Sequence, residues 1–83
     1  MEEEDEFNKP AFLSRLGAHI SRVRRSKGYS QDRLCLEAGF ARGTLSRIEA
    51  GLVDPKASTL YRIAEVLEIH PRRMLELANN ASQ

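Results

Sequence analysis

The 83-residue sequence has no tryptophan, one cysteine and two histidines, with only three phenylalanines and two tyrosines. Each scarcity removes a class of protein. The lone Cys35 cannot close an intramolecular disulfide, which fits a reducing, cytoplasmic setting. There is no Cys-x-x-Cys, His-Glu-x-x-His or Cys/His cluster, and His19 and His70 are far apart, so no zinc ligand set exists and no cofactor is expected. No apolar run approaches the roughly 18 residues of a membrane span. The N-terminus is acidic, whereas a signal peptide needs a basic start and an apolar stretch. Period-2 alternation is absent, so no strand is predicted. No nucleophile–base pair or carboxylate dyad shares a plausible site, and so short a chain has no deep pocket, which argues against an enzyme. The length suits one domain with a small core that an oligomer contact would help. It leaves no room for a sensor domain, so no small-molecule effector is expected.

What is present is charge, unevenly spread. The formal net charge is +1, but residues 1–8 carry Glu2, Glu3, Glu4, Asp5 and Glu6 and no cation. Residues 9–47 hold nine cations against only Asp32 and Glu37. A basic body behind an acidic tail suggests a polyanion partner, although surface arginine also keeps small domains soluble. The acidic tail is either a solubility segment or a cover that competes with that partner for the basic face.

The apolar pattern is helical throughout. Leu13, Leu16, Ile20 and Val23 recur at steps of three and four, with Pro10 in the first turn and Lys27-Gly28 as the stop. Ser30 reads as the cap of a short helix from Gln31 to Ala38, which Gly39 ends. After the tight connection at Phe40 and Ala41, a third helix is predicted from about Arg42 to Ala50, stopped by Gly51. Asp54-Pro55 marks a loop, and Ser58 caps a fourth helix with Leu60, Ile63, Ala64 and Leu67 inward. Pro71 opens a fifth helix carrying Met74, Leu75 and Ala78. The expectation is an all-α, five-helix domain over residues 10–79, preceded by an acidic tail (1–9) and followed by a polar end (80–83).

The informative stretch runs from Gln31 to Ile48. Leu34, Phe40, Leu45 and Ile48 sit where two crossed short helices must pack, Cys35 is small enough for their close approach, and Gly39 frees the backbone for a left-handed corner. The second helix is slim, polar and cationic on its outer side, a shape suited to a DNA major groove.

Here the chain resembles a known family. Tyr29-Ser30-Gln31 through Ile48-Glu49-Ala50-Gly51 is similar to the helix-turn-helix of phage repressor and Cro proteins, the XRE-like family. Thr59-Leu60, Ile63-Ala64-Glu65-Val66-Leu67 and Arg73-Met74-Leu75 resemble that family's last two helices. The resemblance covers roughly residues 12–77, and restriction–modification controller proteins are the nearest members in size and layout. It implies a compact repressor-like fold and a sequence-specific, DNA-binding regulator of transcription. It further implies a homodimer on a near-palindromic site of double-stranded DNA. Gln31 would bond a phosphate and brace the reading helix. Arg42, Gly43, Thr44, Ser46 and Arg47 would face base edges, and Lys56 a backbone phosphate. Arg24 and Glu49 would form a structural ion pair. Ala41 and Gly43 depart from the family's usual choices: Ala41 stands where a Ser or Thr cap is common, and Gly43 where a longer side chain often reads a base. Arg22, Arg25 and Lys27 are phosphate contacts or part of a solvated face. Ile69, Met74, Leu75 and Leu77 offer more apolar surface than one core face needs, which suggests the dimer contact. The alternative from another class is an antitoxin-like interaction module that holds a partner protein.

Overall fold

The computed structural model describes residues 7–77. The predicted acidic run Glu2–Glu6, Ala78 of the predicted fifth helix, the domain end at residue 79 and the polar end 80–83 lie outside the described residues. Within them, no strand forms, and four α-helices and one 3₁₀ helix make a single core. They are α1 (Lys9–Ser26), α2 (Gln31–Ala38), α3 (Thr44–Glu49), α4 (Ala57–Leu67) and the 3₁₀ helix Pro71–Leu75.

Local chemistry sets most of the boundaries. Asn8 caps α1 by accepting a hydrogen bond from the Ala11 amide, and Pro10 lies in the first turn, where a missing N–H is harmless. Ser30 caps α2 by accepting from the Arg33 amide at 3.0 Å. Gly39 ends it in the left-handed region at φ 78°. There the Phe40 amide reaches back to the Cys35 carbonyl at 2.9 Å, closing the turn.

Three helix predictions need correcting. The third helix begins at Thr44, two residues later than expected, because Gly43 sits at the N-cap with φ 86° and cannot be its first turn. Arg42 and Gly43 therefore lie in the turn ahead of α3. The fourth helix starts at Ala57 with Lys56 as N-cap and no side-chain cap bond, so Ser58 is already inside it. The predicted fifth helix is a five-residue 3₁₀ turn, which leaves four α-helices among the described residues. The His70 side chain accepts from the Arg72 amide at 3.1 Å, and the Arg73 amide bonds the His70 carbonyl at 2.9 Å. That i→i+3 pattern winds at three residues per turn, so side chains three apart eclipse.

The apolar C-terminal residues divide between core and surface. Met74 and Leu77, three apart, both turn inward and are 1% and 6% exposed. They belong to the core and not to a surface that a second copy could touch. Leu75 points out at 59% exposure, and Ile69 is half-buried. In the rest of the core, Leu13, Leu16, Ile20 and Val23 of α1 meet Leu34, Cys35, Leu45, Ile48, Ile63, Ala64 and Leu67 as predicted, while Phe40 and Leu60, also expected inward, are half-buried against it.

α1 packs directly on α3, and this approach depends on Gly17. A Cβ there would fall 2.5 Å from the Ile48 carbonyl oxygen and closer still to that of Glu49. His19 is buried, with its ring hydrogen-bonded through Nε2 to the Arg73 carbonyl. It ties α1 to the 3₁₀ helix.

Candidate nucleic-acid interface

α2 and α3 cross around the Gly39 corner, with Leu34, Leu45 and Ile48 at their shared core. The opposite side of α3 presents Ser46 and Arg47 to solvent, with Arg42 exposed just ahead of it and Thr44 half-buried. The Ser46 hydroxyl donates to the Gly43 carbonyl at 3.0 Å, which ties the first turn together where no side-chain cap does. Gly43 also makes room for Arg47: a Cβ at Gly43 would stand 3.2 Å from an Arg47 guanidinium nitrogen. The two positions are coupled, one side chain folding over the backbone that the other leaves bare.

Behind this face lies a charged brace. Arg24 of α1 donates from Nε to one carboxylate oxygen of Glu49 at 2.7 Å and from a terminal nitrogen to the other at 3.0 Å. Its remaining terminal nitrogen donates to the Tyr29 carbonyl at 2.7 Å. The two side chains retain 10% and 6% of their exposure. A bidentate pair this buried fixes geometry more than it adds stability. Gln31, the first residue of α2, donates from its amide to Glu49 at 2.9 Å. Arg24, Gln31 and Glu49 thereby lock the end of α1, the start of α2 and the end of α3 into one corner. Gln31 is thus held in place from within the protein, and its amide retains a second N–H for a ligand.

The cations divide into two groups. Lys9 pairs with Asp54, Arg33 with Glu37, Arg62 with Glu65, and Arg72 and Arg73 with Glu76. Arg33 is also stacked 4.2 Å over the Tyr29 ring. Its hydrogen bond to Glu37, and then that carboxylate's charge, raise its pKa above the ordinary arginine value. In contrast, Arg42, Arg47 and Lys56 have no ion pair among the described residues. Arg15, Arg22, Arg25 and Lys27 likewise have no ion pair among the described residues, and what sets Arg42, Arg47 and Lys56 apart is their place around α3.

Gly17 was not anticipated from the sequence, nor was Glu49 as the partner through which Gln31 meets the reading helix. A signal for Gly17 does exist: a lone glycine inside an amphipathic helix costs roughly 1 kcal/mol relative to alanine, so its presence points to a close approach. Nothing local signals that Gln31 and Glu49 meet. The described residues contain no group of His, Cys, Asp and Glu able to hold a metal. They also contain no helix long and apolar enough to cross a membrane.

Comparison with known proteins agrees with this geometry. A family model for helix-turn-helix proteins matches residues 20–74. The HTH-type transcriptional regulator y4dJ of Sinorhizobium fredii is 35% identical over 54 residues, which is 65% of this chain and 70% of that protein. The HTH-type transcriptional regulator SinR of Bacillus subtilis is 34% identical over 62 residues, 74% of this chain and 56% of SinR. A helix-turn-helix transcriptional regulator from Vibrio cholerae superposes with a TM-score of 0.77 at 28% identity, covering 90% of this chain and 41% of that one. The chain thus spans somewhat over half of SinR and under half of the Vibrio protein.

Proposed function

This chain belongs to the helix-turn-helix family of DNA-binding transcriptional regulators, and on that footing we propose that it reads a specific operator as a homodimer. The observation that carries the reading is the contrast in charge: Arg42, Arg47 and Lys56 are exposed and without ion pairs among the described residues, around a reading helix braced by Arg24, Glu49 and Gln31. Arg47 and Arg42 grip guanine O6 and N7, each contributing about 1–3 kcal/mol of discrimination. Thr44 and Ser46 contact base edges or phosphates, and Gly43 lets the backbone approach the groove. Lys56 and the second N–H of Gln31 meet phosphates, and so set the register of α3 on the duplex.

A near-palindromic site follows from two copies related by a two-fold axis, with half-sites about 10 bp apart. The groove between α4 and the 3₁₀ helix supports a contact between copies. It is lined by Leu60, Tyr61, Pro71 and Leu75, and Tyr61 and Leu75 are exposed at its edges. Dimerisation coupled to DNA binding makes the response steep in protein concentration, which suits control without an effector.

The test is selection of purified protein against a random duplex pool at near-physiological salt. A two-fold symmetric enriched motif is the expected result, and its genomic positions identify the regulated genes. A site upstream of a neighbouring restriction gene is the outcome expected of a restriction–modification controller. Salt-sensitive binding without any enriched motif would overturn the operator reading, and would favour an antitoxin-like module whose apolar groove holds a partner protein.

A further inference from the structure

The N-terminal end of α1 is tied to the connection that follows the reading helix. Lys9 pairs with Asp54 at 3.3 Å. A Cβ on Gly51 would stand 3.0 Å from the Ser14 Cα, so the first half of α1 lies directly on that connection. Two residues before Asp54, the Leu52 amide donates to the Arg47 carbonyl at 3.0 Å. Two residues after it stands the exposed Lys56, the N-cap of α4. The start of α1 is therefore seated beside the short stretch that carries Arg47 at one end and Lys56 at the other.

The direction in which the chain enters α1 is also fixed. Asn8 caps the helix, and Phe7 packs on Phe12 with ring centroids 5.5 Å apart. A residue just before the cap, stapled to one in the next turn, sets the entry angle of the chain. Ahead of Phe7 stand Glu2, Glu3, Glu4, Asp5 and Glu6, five carboxylates with no cation among them. Extended, five residues reach about 17 Å, and Asp54, which holds the start of α1, is only two residues from Lys56. The stretch 42–56 sets Arg42, Arg47 and Lys56 against Glu49 and Asp54, and both acids are already taken, by Arg24 and Lys9. By binding Asp54, Lys9 leaves Lys56 without the carboxylate nearest to it in the chain.

We propose that the acidic segment Glu2–Glu6 is an intramolecular competitor for DNA. Its carboxylates occupy Lys56 and Arg47 in the free protein, and phosphates displace them when a duplex binds. Tethering gives the segment an effective concentration of about millimolar, which offsets the weakness of each exposed ion pair. The segment lowers affinity for every duplex and raises the protein concentration at which an operator fills. The inference rests on the DNA-binding reading above for this consequence, and on the fold alone for the contact.

Three proteins test it: the wild type, a neutral-tail variant (Glu2→Gln, Glu3→Gln, Glu4→Gln, Asp5→Asn and Glu6→Gln), and the neutral-tail variant with the same five acids attached after Gln83. The third restores the net charge but not its position. In amide NMR spectra of the free proteins, neutralising the tail is expected to shift residues 47–56. Shifts confined to the first turn of α1 would overturn the proposal, because the tail would then answer only the helix N-terminus. In fluorescence anisotropy on a random-sequence duplex at about 50 mM salt, the neutral-tail variant is expected to bind about tenfold tighter, since each exposed ion pair is worth up to about fivefold. The two are expected to converge near 0.5 M salt, where the screening length falls to about 4 Å. The variant with acids after Gln83 is expected to match the neutral-tail protein; if it matched the wild type, net charge alone would explain the effect and the proposal would fail. Failure of the DNA-binding reading looks different: none of the three proteins would bind a duplex, while the shifts at 47–56 would remain.

Discussion

Replacing Gly17 with alanine separates two physical effects of opposite sign. On helix propensity alone, Gly→Ala inside α1 stabilises by about 1 kcal/mol. The fold predicts the reverse. The added Cβ would lie 2.5 Å from the Ile48 carbonyl oxygen and 2.7 Å from the Glu49 carbonyl carbon. Ordinary contact needs about 1 Å more. The obstacle is backbone, so no rotamer change relieves it, and α3 must move off α1. Overpacking of this kind costs about 3 kcal/mol at the upper end of its range. Subtracting the propensity gain leaves a net loss of about 2 kcal/mol. In a domain of this size, that lowers the melting temperature by roughly 8–16 °C. Thermal and urea unfolding followed by circular dichroism measure it, with exposed Ala18→Gly as the control expected to lose about 1 kcal/mol from propensity only. Because Glu49 is the last residue of α3, Gly17→Ala is also expected to weaken operator binding at temperatures where the protein is still folded. A Gly17→Ala protein as stable as the wild type would refute the close approach of the two helices.

Glu49→Ala leaves the Arg24 guanidinium buried without its carboxylate and releases Gln31. About 3–5 kcal/mol of stability is expected to be lost, read from the urea midpoint, and a loss below about 1 kcal/mol would show that water reaches the pair. Arg47→Ala is expected to relax base preference at one operator position by about 1–3 kcal/mol, measured by competition between single-base operator variants. Lys56→Ala is expected to weaken all duplexes alike and to lower the salt slope by about 1. Leu75→Glu places a charge at the rim of the α4–3₁₀ groove and is expected to shift sedimentation toward monomer while the melting temperature changes little; an unaltered dimer would place the contact elsewhere.

Much of the fold is legible because its signals are short-range. Ser30, Gly39 and the spacing of Leu34 from Cys35 mark α2 at the boundaries Gln31–Ala38 that the structure has. The apolar steps along α1 give its core face without reference to the rest of the chain. The same reading fails where two local rules compete. Gly43 satisfies the pattern of a helix interior, but its positive φ makes it the N-cap of α3. Met74, Leu75 and Leu77 look like a surplus of apolar surface on an α-helix, but the chain winds as a short 3₁₀ turn that ends at Leu75, and Met74 and Leu77 are both buried in the core. His19 shows no local sign of burial, since its partner is a carbonyl 54 residues further on.

The order of the helices, the all-α class and the core face of α1 were contained in the amino-acid sequence alone. Caps act within one turn and apolar periodicity within one helix, so neither needs a distant partner. Tertiary structure decided which charges remain available. Glu49 neutralises Arg24 from 25 residues away and holds Gln31 from 18, and Asp54 takes Lys9 across the α1–loop contact. Whether an arginine is spent on the fold or left for a polyanion depends on what the packed helices bring beside it, and that distance is not written in the spacing of residues along the chain.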